Sequence, residues 1–130
     1  SSDAQLAAIA TKSIKETAYH VRWSKEWVIR LGDGTTESHH KMIEAVETIW
    51  QYTGEMFEPA DYENLQQINL RILKNIWEEK VAQVFQEAKL SMPENAFVQV
   101  GGKQGTHTEY LGFILAEMQY LQRSYPNAVW

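Results

Sequence analysis

Apolar residues recur along most of this chain with the period of an α-helix, and the exceptions mark the joints. Over residues 3–31, Leu6, Ile9, Ala10, Ile14, Val21, Trp23, Trp27, Val28 and Leu31 cover one broad arc when each residue advances about 100°. Lys12, Lys15, Arg22, Lys25, Glu26 and Arg30 fall on the other side. Glu16 and His20 lie inside the apolar arc, which predicts polar groups in a bundle interior. Ser2, with Gln5 three residues on, reads as a capping box at the start. The run LGDGTTE then punctuates the chain, with Gly32 expected at C′ and Thr35 or Thr36 as the next N-cap.

A second helix is predicted to about residue 57. Its stripe is His39, Met42, Ile43, Val46, Ile49, Trp50, Thr53 and Phe57. The short connection makes the first two helices an antiparallel hairpin. The segment FEPADYENLQQIN predicts a loop with a helical turn or two. A third helix follows over 70–88, with Leu73, Ile76, Trp77, Val81, Val84, Phe85 and Ala88 inward. Residues 94–105 lack helical periodicity. Thr106 and Glu109 form the capping box of a fourth helix, to about 124, with Leu111, Ile114, Leu115, Met118 and Leu121 inward. The chain thus reads as one all-α domain over 1–130, without internal repeats.

Composition narrows the function classes. The 130 residues are 44% hydrophobic and 22% charged, a globular balance. Twelve Lys+Arg against 17 Asp+Glu give a net charge of −5, and no basic block suggests nucleic acid. The absence of cysteine excludes disulfides, thiolate zinc sites and cysteine nucleophiles. No apolar run approaches the ~18–20 residues of a membrane span and no signal-like segment opens the chain, so a cytoplasmic protein is expected. The start SSDAQLAAIATK has no initiating Met and runs straight into a helix, which suggests an internal boundary of a longer protein.

Bundle interiors are where carboxylate-bridged di-iron sites are built. Such a site needs a Glu from each of two helices and a Glu-x-x-His pair from each of the other two. Here Glu16 is followed at i+3 by Tyr19, and His20 has slipped to i+4. Glu37-Ser38-His39-His40 is a literal Glu-x-x-His, yet Glu37 sits roughly 160° around the helix from His39, which centres the apolar stripe. Glu109 is explained by capping, and Glu117 lies off its stripe. One inward Glu and two inward His, His20 and His39, are too few, so no metal and no catalytic residue is expected in this chain.

The run VGGKQGTHTE carries Gly101, Gly102, Lys103 and Gly105 ahead of an expected helix start at Thr106. Glycines, a cation and a helix N-terminus are the parts of an anion site, although the spacing matches neither the P-loop nor the dinucleotide fingerprint. A flexible turn into a capped helix explains the same residues. The five tryptophans read as core and interface residues.

The run GGKQGTHTEYLGFILAEMQYLQRSYPNAVW, with LAAIATKSIKETAYHVRWSKEWVIRLGDGTTESHHKM and IWQYTGEMF, resembles the structural C subunits of bacterial phenylacetyl-CoA epoxidases (ring 1,2-phenylacetyl-CoA monooxygenases). Tyr110 departs from this pattern, standing where a second His is expected in an HTEHLG-like run. The resemblance covers the chain and implies the C-terminal half of a ferritin-like bundle without metal. It implies a catalytic A subunit as partner, holding a di-iron centre and phenylacetyl-CoA, while other components bring electrons from NADPH through a flavin and an iron–sulfur centre. With such a partner, the loop residues Gly101, Gly102, Lys103 and Gly105 are candidates for contact with it or with coenzyme A phosphates. Helix faces lacking half a bundle are expected to self-associate or to accompany an N-terminal half of the same subunit. The alternative is an autonomous di-iron or di-manganese enzyme whose other ligands lie in such a half.

Overall fold

A computed structural model describes residues 3–65, 68–94 and 96–129. Among these, every regular element is helical. Contacts gather in two compact units, Ser1–Gln99 and Val100–Trp130, where the sequence reads as one domain.

In the first unit, α1 (Ala4–Gly32) is 29 residues, or about 43 Å at the usual rise. Its N-cap is Asp3, whose carboxylate accepts from the Leu6 N–H at 2.9 Å. This replaces the expected Ser2–Gln5 capping box, whose Ser2 lies outside the described residues. Gly32 is the last helical residue rather than C′, because Asp33 caps the helix at φ −95° and needs no left-handed turn. Thr35 caps α2 (Thr36–Ile49) as expected, its hydroxyl accepting from the Ser38 N–H at 3.1 Å.

The second helix stops at Ile49, short of the expected residue 57, and tightens into 3₁₀ turns at Trp50–Tyr52 and Gly54–Phe57. Side chains here bond to nearby carbonyls: Gln51 Nε2 to Thr48 O at 2.9 Å and Thr53 Oγ1 to Trp50 O at 2.8 Å. Such local bonds compete with helical ones. The 3₁₀ turns also receive an extended return segment. Gln99 N–H donates to Gln51 O at 2.8 Å, and a Cβ on Gly54 would lie 2.6 Å from Val98 Cγ1.

After the short α3 (Asp61–Leu65), Asn69 caps α4 (Leu70–Glu87) by accepting from Ile72 N–H at 3.1 Å. α4 ends in a Schellman motif, with Lys89 N–H to Gln86 O at 3.2 Å and Leu90 N–H to Phe85 O at 2.9 Å. Lys89 holds the left-handed position at φ 57°, where glycine is the usual choice.

The core of this unit is small. Phe85, Ala88 and Leu90 are buried, with Val28, Ile29, Met42, Val46, Trp50, Val81 and Met92 packed around them. Trp50 stands against Trp77 and Phe85, with ring centroids 5.6 and 5.8 Å apart, and Phe57 extends the row to Trp77 at 5.4 Å. α1 joins through Lys25, Val28, Ile29 and Gly32, near its C-terminal end. That is one side of the helix only. Leu6, Ile9, Ile14, Val21, Trp23 and Trp27 are exposed, contrary to an interior for the whole arc: α2, about 21 Å long against α1's 43 Å, does not reach the N-terminal part of α1, and Trp23 and Trp27 lie on the side turned away from Val28 and Ile29. On α4 the inward prediction holds from Trp77 onward, while Leu73 and Ile76 are exposed.

In the second unit, Gly101 (φ 107°) and Gly105 (φ 89°) bracket a 3₁₀ turn at Gly102–Gln104. Thr106 N–H closes the loop on Gly101 O at 2.8 Å. The Thr106–Glu109 capping box does not form. Helix α5 (Tyr110–Met118) starts four residues later with no side-chain cap, and its first bonds are short-range: Leu111 N–H to Thr108 O and Gly112 N–H to Glu109 O. α6 (Tyr120–Ser124) continues almost in line, since Gln119 N–H still reaches Leu115 O at 3.0 Å. Ile114, Leu115, Met118 and Leu121, expected inward, are exposed, and only Leu111 is half-buried.

Candidate functional site

The helical repeat places Glu16 and His20 on one face of α1, as the spacing requires. Glu16 Oε1 lies 3.9 Å from His20 Nε2, too long for a good hydrogen bond. Their side chains are 76% and 65% exposed, so no described element encloses them as the interior prediction expects. Both sit on the side of α1 turned away from Lys25, Val28 and Ile29, by which the helix joins its unit. The Tyr19 ring approaches His20 edge-on, with centroids 6.0 Å apart, and Arg22 lies over Tyr19 at 5.6 Å.

His39 is half-buried and already engaged. Its Nδ1 is 2.6 Å from the Gly32 carbonyl oxygen, which can only accept, so the proton sits on Nδ1. The bond ties the first turn of α2 to the last residue of α1. Glu37 points away, as its angular position predicts, and pairs with Lys41 Nζ at 2.6 Å in solvent. Glu109 and Glu117 are exposed. Among the described residues no group of three or more His, Asp or Glu side chains is placed to hold a metal ion. Glu16 and His20 supply one carboxylate and one imidazole, where a di-iron shell takes about six such ligands.

The glycine loop is built by its backbone. Gly101 and Gly105 occupy left-handed positions that other residues adopt only with strain, and a Cβ on Gly101 would also meet Thr106 Cβ at 3.0 Å. Gly102 and Lys103 are half-buried within the turn. The helix N-terminus expected at Thr106 lies instead at Tyr110, which removes one of the three parts of the expected anion site.

A groove of about 300 Å³ went undetected in the sequence. It runs between α2 and the segment after α4, lined by His39, Ile43, Val46, Lys89, Leu90 and Met92. Lys89 Nζ crosses toward α1 and pairs with Asp33 Oδ1 at 2.5 Å. Ala88-Lys89-Leu90 contains no glycine or other turn signal, so nothing in the pattern marked the bend that forms this groove.

A family model described as Phenylacetic acid catabolic protein matches residues 1–130. The chain belongs to that family. It is also similar to the C subunit of the 1,2-phenylacetyl-CoA epoxidase of Escherichia coli (strain K12), at 44% identity over 135 aligned residues. That match takes in 100% of this chain and 54% of the relative, its C-terminal portion. The chain thus spans about half the length of the curated relative it matches. The family bears out the resemblance read from the sequence, and the described residues bear out an all-α class in keeping with a ferritin-like bundle. No described helix is long and apolar enough to cross a membrane.

Proposed function

We propose that this chain serves a phenylacetyl-CoA epoxidase as a non-catalytic structural subunit, acting in aerobic phenylacetate degradation. Its partner is the catalytic A subunit, whose di-iron centre supplies the activation of O₂ for epoxidation of the aromatic ring. The role of this chain is physical. Its helices cover an apolar face of the partner, exclude water there and steady the partner's active-site helices. The observation that carries the reading is the uncovered face of α5 and α6 in a member of this family. Phe113 and Met118 are 67% and 70% exposed, with Ile114, Tyr120 and Leu121 beside them. Apolar side chains grouped in this way mark interaction surfaces. The donor count supports the non-catalytic part, because the described residues offer no third ligand beside Glu16 and His20.

Co-expression with the catalytic subunit tests this reading. The expected outcome is that the chain co-purifies with that subunit and that phenylacetyl-CoA epoxidation depends on its presence. Phe113→Glu with Met118→Glu abolishes co-purification while leaving helicity intact; an unaffected complex sinks the proposal. Gly101, Gly102, Lys103 and Gly105 are proposed to touch the partner or the coenzyme A phosphates. Unchanged assembly and unchanged substrate affinity in Lys103→Ala remove the loop from that role.

One observation favours a second reading. Glu16 and His20 share a face that is open to ligands from other chain segments, as an autonomous di-iron or di-manganese enzyme requires. Bound metal separates the two.

A further inference from the structure

We propose that the Asp33–Gly34 peptide is a site of covalent self-modification, an aspartate-to-isoaspartate isomerisation that Lys89 holds in check. Asp33 is the only Asp or Asn in the 130 residues that a glycine follows. A side chain on the residue after an aspartate hinders attack of that residue's nitrogen on the aspartyl carboxyl, and glycine has none. Nothing larger fits here. A Cβ on Gly34 would lie 2.7 Å from both Arg30 O and Ser38 Oγ. The tight joint between α1 and α2 thus dictates the glycine, and the glycine makes the peptide labile. The attacking nitrogen is also unoccupied. Asp33 N–H donates to Ile29 O at 2.9 Å, but Gly34 N–H has no acceptor among the described residues.

The chemistry needs only this peptide and water. The Gly34 nitrogen bonds to Asp33 Cγ and gives up its proton, while the carboxyl, in its acid form, gives up its hydroxyl. Proton and hydroxyl leave as water, and a cyclic imide remains. Water then opens the imide. Breaking the bond from nitrogen to Cγ restores aspartate; breaking the bond to the main-chain carbonyl carbon gives isoaspartate, whose backbone runs through Cβ and Cγ. Nothing is oxidised or reduced. Two features of the structure oppose ring closure. At ψ 23° the Gly34 nitrogen lies on the side of Asp33's own nitrogen, turned away from Cβ, so the turn must first open. Lys89 Nζ, 2.5 Å from Asp33 Oδ1, holds the carboxylate toward the end of α4, and this pair must break before the carboxyl reacts. The product lengthens the joint by one backbone carbon between Gly32, whose carbonyl accepts from His39, and Thr35, which caps α2. It also carries the carboxylate that an isoaspartyl methyltransferase caps with a methyl group.

This inference rests on the α1–α2 joint alone and is independent of the role proposed beside a catalytic subunit. Incubation of the purified 130-residue chain at neutral pH and physiological temperature, followed by peptide mapping with fragmentation that distinguishes isoaspartate, tests it. Isoaspartate is expected to accumulate at Asp33, more slowly in the folded chain than in urea. It is expected to be absent from Asp33→Glu, whose longer side chain does not close the same ring. Lys89→Gln frees the carboxylate and speeds conversion about two- to fivefold, the range that an exposed ion pair allows. Lys89→Gly speeds it as well while its melting temperature holds or rises, which separates release of Asp33 from general loosening. No isoaspartate at Asp33 in the folded chain over the time in which the unfolded chain converts, or an unchanged rate in either Lys89 variant, overturns the proposal.

Discussion

Replacing Gly32 with alanine tests how α1 meets α4. A Cβ built at Gly32 lies 2.8 Å from Ala88 Cβ and 2.5 Å from Ala88 O, while carbon atoms pack at about 3.5–4.0 Å. The two helix ends must therefore separate by about 1 Å. Ala88 has no exposed surface, and both ends are held, α4 by its Schellman bonds and α1 by the His39 bond to Gly32 O. Overpacking of this kind costs about 1–3 kcal/mol. Alanine recovers part of about 1 kcal/mol in helix propensity, less at a last helical residue. The balance is a loss of about 1–2 kcal/mol. Urea unfolding followed by circular dichroism reads it as a midpoint lower by roughly 0.5–1 M at unchanged m-value. Adding Ala88→Gly removes the Cβ clash but leaves the carbonyl at 2.5 Å, so rescue is partial. A Gly32→Ala midpoint equal to or above that of the parent would refute the close-approach argument.

Thr35→Ala removes the acceptor for the Ser38 N–H and costs about 1 kcal/mol, which thermal unfolding resolves; Thr35→Asp retains the cap and the stability. Lys89→Gly relieves a left-handed residue, worth about 1 kcal/mol, and gives up a largely exposed ion pair to Asp33 worth between 0 and about 1 kcal/mol. The melting temperature is expected to hold or rise slightly, and a clear fall would mean that the Lys89 ammonium does more than meet Asp33.

Helix positions were legible in the sequence wherever period and cap agreed. Thr35 and the run from Trp77 to Ala88 lie where periodicity puts them, because the cap chemistry and the apolar stripe point the same way. Burial was less legible. Periodicity says which residues share a side of α1, but not that the side through Val28 and Ile29 is the one that packs, nor that α2 is half as long and stops short of Leu6 and Ile9. The same choice of side left Glu16 and His20 in solvent rather than in an interior. At Thr106 the capping motif was present but unused, since the Gly101–Thr106 closure takes up the backbone that the helix start would have needed. The groove beside Lys89 was illegible because a lysine holds the position where a glycine would have announced the bend.

The most direct measurement on the central claim is metal content per chain, by elemental analysis of the protein purified alone from cells grown with added iron and manganese. A structural subunit gives a value near zero. About two metal ions per chain, the complement of a carboxylate-bridged dinuclear site, would contradict the account and make Glu16 and His20 ligands.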